Sequence, residues 1–266
     1  MIYTQNHVNA LRCMAVGDAV GNPFEFKKDL DFSPLDIMDQ ADYGDLNITD
    51  DTQMTLFGFE IVCNSLHFGH LNNTYLNWYY TQTKEFTRTP FCTDENLLLS
   101  FGELYVQRDP GMTVMNSLQQ LHNMSSREKN DSKGCGSIMR ILPFIHDIDL
   151  VNRSIVVTHD HPDNFTAAQT LVDAYNGIFE IPKVDDISDL GEGWVADECV
   201  NMAIWAAATA EDFDDLLVKS IHHNGDSDSV AAVACSLWGY WGNPFYYYDR
   251  VIENDPIEFI VKKMGF

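Results

Sequence analysis

Two short segments of this sequence place several oxygen-bearing side chains at the point where an apolar, helix-like run begins. Residues 49–52 read Thr-Asp-Asp-Thr, and residues 226–229 read Asp-Ser-Asp-Ser. Either segment alone is explained by helix capping, because Thr, Ser and Asp accept hydrogen bonds from the free N–H groups of a first helical turn. A helix start needs only one capping side chain, however, so the additional carboxylates favour a second role.

A metal site would account for this surplus of carboxylates. If the two helix starts face each other, like charges a few ångströms apart raise each other's pKa or require counter-ions. Both segments offer oxygen ligands only, with no Cys or His at a useful spacing. This ligand set favours a hard cation such as Mg²⁺ or Mn²⁺ over zinc or copper. The hypothesis requires that residues 49–51 and 226–229 converge in the fold.

The elements that must position these residues are predicted to be helices. Apolar residues recur every three or four positions, which is the helical period, and the alternation typical of strands is scarce. Pro- and Gly-containing tripeptides between these runs predict helix ends and connections. We therefore expect an all-α chain with one domain spanning residues 1–266. The later helices are predicted at 150–158, 164–180, 194–209, 212–222 and 229–241, and the connecting tripeptides lie at 21–23, 109–111, 181–183 and 242–244.

Three further features have a structural interpretation, and one of them, the glycine-rich run, also has a functional one. Glu25 alone is explained as a solvated loop carboxylate. The Gly-Cys-Gly-Ser run at 134–137 is either a tight turn into a helix at 137–144 or a phosphate-binding loop, since glycine permits close approach and a helix start favours an anion. Arg140 is interpreted as a structural ion-pair residue.

The composition excludes several functional classes. The chain has 266 residues with 40 acidic and 16 basic side chains, for a formal charge of -24. This charge repels nucleic acid phosphates and anionic membranes. No run of roughly 18 apolar residues and no signal peptide is found, so we expect a cytoplasmic protein. The six cysteines are widely spaced and are expected to be reduced. Such acidity also suits binding of cations, a basic partner protein, or mimicry of DNA.

Six motifs in order resemble the ADP-ribosylglycohydrolase family, and within it the dinitrogenase reductase-activating glycohydrolases. They are GDAVGNPFEF (17–26), ITDDTQMTLF (48–57), GCGSIMRILPF (134–144), THDHPD (158–163), GWVADECVNMAIWAA (193–207) and NGDSDSVAAVACSLWGYWG (224–242). The resemblance implies a single compact orthogonal helical bundle with two Mg²⁺ or Mn²⁺ ions at the bottom of a cleft.

The resemblance also implies roles for individual residues. Asp228 corresponds to a ligand that bridges both ions, and Glu25 lies beside the metals as a catalytic residue together with Asp50 and Asp51. His159 corresponds to the histidine that lines the substrate groove. The implied metal ligands are Thr49, Asp50, Asp51, Asp226, Asp228 and Ser229. The residues implied to wrap the diphosphate and distal ribose of the substrate are Gly134, Gly136, Ser137 and Met139.

The sequence departs from the family pattern in three places. Cys135 stands where Asn or Gly is usual, Asn224 replaces the first glycine of a Gly-Gly-Asp motif, and the segment 82–112 matches poorly. These departures concern the fit of the substrate more than the binding of metal.

The expected activity is hydrolysis of the bond between ADP-ribose and a protein side chain, with arginine as the first candidate. The expected partners are an ADP-ribosylated protein as substrate and ADP-ribose as product, without nucleic acid or membrane, and the default expectation is a monomer. Two alternatives remain open. One is a protein that binds ADP-ribose or metal without catalysis, and the other is an acidic DNA mimic that inhibits a DNA-binding protein.

Overall fold

The computed structural model describes residues 3–28, 36, 46–63, 71–83 and 98–266, and these residues form ten α-helices and no β-strand. The all-α prediction is confirmed. None of the described helices has the length and apolar character of a membrane span. The helices are α1 (Gln5–Gly21), α2 (Asp50–Cys63), α3 (Leu71–Thr83), α4 (Met112–Met124), α5 (Ile148–Ile155), α6 (Pro162–Tyr175), α7 (Ala196–Thr209), α8 (Phe213–Ile221), α9 (Ser227–Tyr240) and α10 (Asn254–Met264).

The helix connections contain the Pro and Gly tripeptides, as predicted. Helix α1 ends at Gly21, and a 3₁₀ turn follows at Asn22–Phe24. The Asp-Pro-Gly tripeptide directly precedes α4, and the second Gly-Asn-Pro follows the end of α9 at Tyr240. Part of the poorly matching segment, residues 84–97, lies outside the described residues and includes Cys92. The other five cysteines are free thiols.

Two predicted helices are too long at their C-terminal ends. Helix α5 was predicted at 150–158, but it ends at Ile155. Helix α6 was predicted at 164–180, but it ends at Tyr175. Gly177 follows with a φ angle of 76°, in the left-handed region that commonly ends a helix. The hydrophobic residues beyond it therefore belong to a connection.

The helix predicted at 137–144 does not form. Two short 3₁₀ turns, Cys135–Ser137 and Leu142–Phe144, occupy this part of the chain. Pro143 lacks an N–H group and cannot continue an α-helical hydrogen-bond ladder, which favours the tighter turns. The glycine-rich run is thus followed by an irregular, buried segment.

Helices α1 and α9 pack against each other in antiparallel orientation, and glycines allow their backbones to approach closely. A Cβ atom on Gly17 would lie 2.4 Å from the carbonyl oxygen of Ala231. A Cβ atom on Gly21 would lie 2.5 Å from the carbonyl oxygen of Ser227. This register brings the C-terminal end of α1 beside the N-terminal end of α9.

We expect Gly21→Ala to destabilise the protein and to disturb the start of α9. The added Cβ would lie 2.6 Å from the Cα of Asp228, so the backbone of α9 must shift. Overpacking of this kind costs about 1–3 kcal/mol of unfolding free energy, measurable by urea denaturation. Binding of Mn²⁺, measured by calorimetry, should weaken in parallel. Gly102→Ala is the matched control because nothing lies within 4 Å of its added Cβ. Unchanged stability and Mn²⁺ binding in Gly21→Ala would contradict this packing.

Candidate metal centre

The two acidic helix starts converge on a cluster of carboxylates at one end of the α1–α9 pair. Carboxylate oxygens of Asp18, Asp51 and Asp228 all lie within 4.8 Å of one another. A second group, formed by Glu25, Asp226 and Asp228, meets the same distance limit. Asp228 belongs to both groups, and its role as a ligand shared by two ions stays a prediction. The convergence on which the metal hypothesis depends is therefore present.

Asp18, on the last turn of α1, is a member of this cluster that the sequence reasoning missed. Its side chain is fully buried and accepts hydrogen bonds from the N–H and hydroxyl groups of both Thr49 and Thr52. These bonds attach the start of α2 to α1. The available signal was a single carboxylate within the apolar run ALRCMAVGDAVG, since a buried Asp needs partners.

The other predicted ligands lie at different positions around the cluster. The hydroxyl of Ser229 donates to Oδ2 of Asp51 at 3.3 Å, between α9 and α2. The hydroxyl of Thr49 donates to Oδ1 of Asp18 at 2.7 Å. Thr49 does not line the cavity next to the cluster, which is described below. Asp50 lines the cavity but belongs to neither closely spaced group. The roles of all three residues as ligands stay predictions.

Burial in this cluster opposes ionisation of its carboxyl groups. Burial raises the pKa of Asp18 to about 6, although hydrogen bonds from Thr52 and Thr49 act in the opposite direction. Burial, followed by the charge of neighbouring carboxylates, raises the pKa of Asp51 and of Asp228 well above the usual range. In a fully ionised cluster, these groups would repel one another strongly.

The donor set fits divalent cations. The ion pairs that Lys and Arg form within the described residues involve other carboxylates, so this cluster has no such counter-ion. Oδ1 of Asp51 is buried and has no hydrogen-bond partner among the residues that the structure describes. An uncompensated buried charge is strongly destabilising, and oxygen ligands suit Mg²⁺ or Mn²⁺. The residues present therefore fit the group that the family resemblance implies.

A cavity of about 370 Å³ opens above the cluster. Glu25, which follows the 3₁₀ turn after α1, lines it beside Asp226 and Asp228. Burial, followed by the negative charge of Asp226, raises the pKa of Glu25 to about 8. A carboxyl group with such a pKa can hold a proton near neutral pH, as proton-transfer residues often do.

The glycine-rich run forms one wall of this cavity. Gly134, Gly136, Met139 and His159 all line it, as the resemblance implied. Ser137 does not, because its fully buried hydroxyl accepts a hydrogen bond from Asn164 at 3.0 Å. The structure thus brings four of the five predicted substrate-binding residues to the cavity.

Two departures from the family pattern have local explanations. The thiol of Cys135 donates to Oδ2 of Asp226 at 2.8 Å, and burial raises its pKa well above the usual range, so it stays protonated. Asn224 has a φ angle of 36°. Asn tolerates this left-handed conformation better than most residues other than glycine, which accounts for its presence at a glycine position.

An aromatic pair at the mouth of the cavity was not predicted as part of the site. Phe26 and Trp194 both line the cavity, and their rings stack with centroids 5.2 Å apart. Phe26 is 67% exposed, so this pair lies at the surface of the protein. Each residue lies in a quoted motif, but nothing in the sequence shows that the two side chains meet.

Comparisons with known proteins agree with this geometry. The family model described as ADP-ribosylglycohydrolase matches residues 3–189 and 171–242. An uncharacterised protein of Archaeoglobus fulgidus is 25% identical over 292 residues, covering 88% of this chain and 87% of the relative. A solved structure described as an ADP-ribosylglycohydrolase-related protein complex shares the fold, with a TM-score of 0.69, 18% identity and coverage of 98% of this chain and 96% of that chain. Because the family model covers most of the sequence, the chain belongs to the ADP-ribosylglycohydrolase family.

Proposed function

We propose that this protein is a metal-dependent hydrolase that removes ADP-ribose from a modified protein side chain. The bond cleaved is the glycosidic bond at the anomeric carbon of the ribose. The observation that carries the proposal is the convergence of residues 49–51 and 226–229 at a cavity whose wall is the glycine-rich run. The cavity volume of about 370 Å³ lies in the range of small-molecule sites.

The two carboxylate groups would hold two Mg²⁺ or Mn²⁺ ions, with Asp228 shared between them. Asp18 and Asp51 belong to one group, and Glu25 and Asp226 belong to the other. When bound, such ions supply Lewis acidity that polarises hydroxyl groups and activates water. The protein side chains fix where this chemistry occurs, since four of these carboxylates are buried on helix ends.

Glu25 is the residue to which we assign proton transfer. It lines the cavity beside the proposed ions, where a carboxyl group can accept or donate a proton, and in the metal-free protein burial raises its pKa to about 8. Asp50 and Asp51 are the alternative carriers of the proton, because both also line the cavity. Cleavage would pass through an oxocarbenium-like state, as in other glycosidic bond hydrolysis.

We infer that the side chain released is arginine. The Asp-Ser-Asp-Ser and GWVADE segments resemble the branch that acts on dinitrogenase reductase. The acidic chain, with a formal charge of -24, also attracts a substrate segment that carries a guanidinium group.

The direct experiment is release of ADP-ribose from an arginine-modified protein and, separately, from a serine-modified protein, each with Mg²⁺ or Mn²⁺. Release from the arginine-linked material alone supports the full proposal. Release from the serine-linked material alone retains the hydrolase and corrects the linkage. No release from either substrate with either ion overturns the proposed activity.

We expect Glu25→Gln to lower kcat by about 10²- to 10⁴-fold, which is the range for loss of a general acid or base. Binding of ADP-ribose, measured by calorimetry, should change far less than kcat does. Glu211→Gln is the control, because Glu211 is exposed and lies outside the cavity lining. A Glu25→Gln variant with undiminished kcat would assign the proton transfer to another residue.

Related experiments distinguish the hydrolase from a non-catalytic protein that binds ADP-ribose and from an acidic DNA mimic. A non-catalytic binder would take up ADP-ribose in calorimetry without hydrolysing the modified protein. A DNA mimic would capture a DNA-binding protein in a salt-sensitive way, and Asp228→Ala would leave that capture unchanged. The concentration of buried carboxylates at helix ends favours the hydrolase, because a mimic needs its carboxylates on the surface.

A further inference from the structure

Arg140 is a buried cation that connects two parts of the cavity wall. Its side chain is fully buried, and the ion pair expected for it is not found among the described residues. Nη1 donates to the carbonyl oxygen of Gly136 at 3.0 Å, and Nη2 donates to the hydroxyl oxygen of Thr158 at 2.6 Å. The guanidinium carbon lies 4.5 Å from the ring centroid of Tyr75. Arg140 therefore joins the glycine-rich run to the segment that contains His159.

The hydrogen bond from Arg140 to Thr158 influences which atom donates in the hydrogen bond between Thr158 and His159. A guanidinium group can only donate, so the oxygen of Thr158 must accept from it. That oxygen lies 2.8 Å from Nδ1 of His159, which is the acceptor available to the Thr158 proton. The same oxygen has a second lone pair that could accept from a protonated Nδ1, but the buried Thr158 proton would then have no acceptor among the described residues. The arrangement therefore favours an Nδ1 without a proton. The neutral imidazole consequently has its proton on Nε2.

The protonated Nε2 of His159 faces the cavity. A Cβ atom added to Gly134 would lie 3.4 Å from Nε2, and the ring carbon Cε1 would lie 3.7 Å from a Cβ on Gly136. His159 is only 1% exposed, and Nε2 has no hydrogen-bond partner among the described residues. Because His159 lines the cavity, its Nε2–H can donate to an acceptor on a ligand bound beside the glycine-rich run.

The surroundings also keep the imidazole neutral. Burial, followed by the positive charges of Arg140 and Arg127, lowers the pKa of His159 to about 3. A neutral ring has one donor and one acceptor, so its tautomer decides what it can bind. The opposite tautomer would present a lone pair to the cavity and repel an anionic oxygen.

We propose that Arg140 and Thr158 are positioning residues that hold His159 as a permanent Nε2–H donor to a phosphate oxygen of the ligand. The proposal rests on the proposed function, because the ligand concerned is the diphosphate of ADP-ribose. Arg140 also donates to the carbonyl oxygen of Gly136, so it links the glycine-rich run to the segment that contains His159. The recognition is of a hydrogen-bond acceptor and does not depend on a charged histidine.

The tautomer can be measured in the ligand-free protein by ¹⁵N NMR of the histidine ring nitrogens. Wild-type protein should show His159 protonated at Nε2. Thr158→Val removes the hydroxyl and should give a mixture of tautomers, whereas Thr158→Ser retains the hydroxyl and the wild-type spectrum. Calorimetry with ADP-ribose and Mg²⁺ should show about tenfold or greater weakening in Thr158→Val and recovery in Thr158→Ser. Thr81→Val is the matched control, because Thr81 is equally buried but donates to the carbonyl of Trp78.

Two results would overturn the proposal. One is a wild-type His159 protonated at Nδ1, and the other is a Thr158→Val variant whose tautomer and ADP-ribose affinity are both unchanged. If Thr158→Val does not fold, the wild-type spectrum decides alone. The spectrum requires no turnover, so a protein with the Nε2–H tautomer and no hydrolysis would refute the proposed activity and leave the tautomer assignment intact.

Discussion

Asp228→Asn is expected to abolish ADP-ribose release while making the metal-free protein more stable. Asp228 is shared by both carboxylate groups, so its replacement removes a ligand from each proposed ion. Ions of this kind lower a reaction barrier by several kcal/mol. Their loss is therefore expected to reduce kcat by about 10³-fold or more. In the metal-free protein, the same change removes a buried carboxyl group whose ionisation is opposed by burial and by the charges of Asp226 and Asp51. A gain of about 1 kcal/mol would raise Tm by roughly 2–4 °C.

The measurements are turnover with saturating Mn²⁺ and thermal unfolding in a chelator. Asp149→Asn is the control, because Asp149 is exposed on the first turn of α5 and should change neither quantity by much. A lower Tm in the metal-free Asp228→Asn protein would show that repulsion between the carboxylates of the cluster does not destabilise the fold. Undiminished turnover would remove Asp228 from the candidate metal centre.

The structure explains why Asp228→Asn is expected to lower turnover but to raise the stability of the metal-free protein. Three helix ends meet at the cluster, and the N-terminal ends of α2 and α9 carry partial positive charge that favours carboxylates. This field does not remove the repulsion, because burial raises the pKa of Asp50, Asp51 and Asp228 well above the usual range. The apolar packing of α1 against α9 holds the helix ends together against that repulsion. The fold therefore maintains a cluster of carboxylates whose repulsion is relieved by bound protons or, as we propose, by bound cations.

The convergence of the acidic segments could be predicted from the sequence because its signal is local. Each segment contains more carboxylates than a helix start uses, and excess charge at two starts implies a shared counter-ion. Helix positions were predictable for a similar reason, since a period of three to four apolar residues reflects burial of one face. Both segments contain more negative charge than helix capping uses, and this excess is visible in the residues of each segment alone.

The missed features depend on contacts between distant residues. Asp18 lies 31 positions before Thr49 in the sequence, and its role follows from hydrogen bonds that exist only once α1 meets α2. The stacking of Phe26 on Trp194 likewise needs two loops to meet at the cavity mouth. Ser137 shows the converse case. The family resemblance implies that it contacts the substrate, but its hydroxyl instead accepts a hydrogen bond from Asn164.

The metal-free protein is expected to lose stability as the pH rises from about 6.5 to 8. A carboxyl whose pKa is raised in the folded state binds more protons there than in the unfolded chain, so its stabilising contribution is lost as the pH rises through the folded pKa. Glu25, with a pKa raised from 4.5 to about 8, titrates in this window. The pKa values of Asp51 and Asp228 are also raised. We expect Tm to fall by roughly 4–8 °C in a chelator, equivalent to about 2 kcal/mol.

The lower limit of this window is set by the buried histidines. Burial lowers the pKa of His7 and His223 to about 4 and that of His159 to about 3, below the ordinary 6.5. Their neutral folded forms bind fewer protons than the unfolded chain, so they add stability as the pH rises toward 6.5. Below pH 6.5 the histidines and carboxylates therefore act in opposite directions. Above it, only the carboxylate effect continues.

Divalent ions should reverse the loss of stability above pH 6.5. Protons and metal ions compete for the same carboxylates, so Mn²⁺ should stabilise the protein more at pH 8 than at pH 6.5. At about 100 times its Kd, an ion adds roughly 2.7 kcal/mol, or about 5–10 °C in Tm. Asp228→Asn separates this effect from general surface repulsion, because it should flatten the pH dependence in chelator and remove most of the response to Mn²⁺. If the variant keeps the wild-type slope and response, the titrating groups lie outside the cluster, and the carboxylates of α1, α2 and α9 do not form a metal centre.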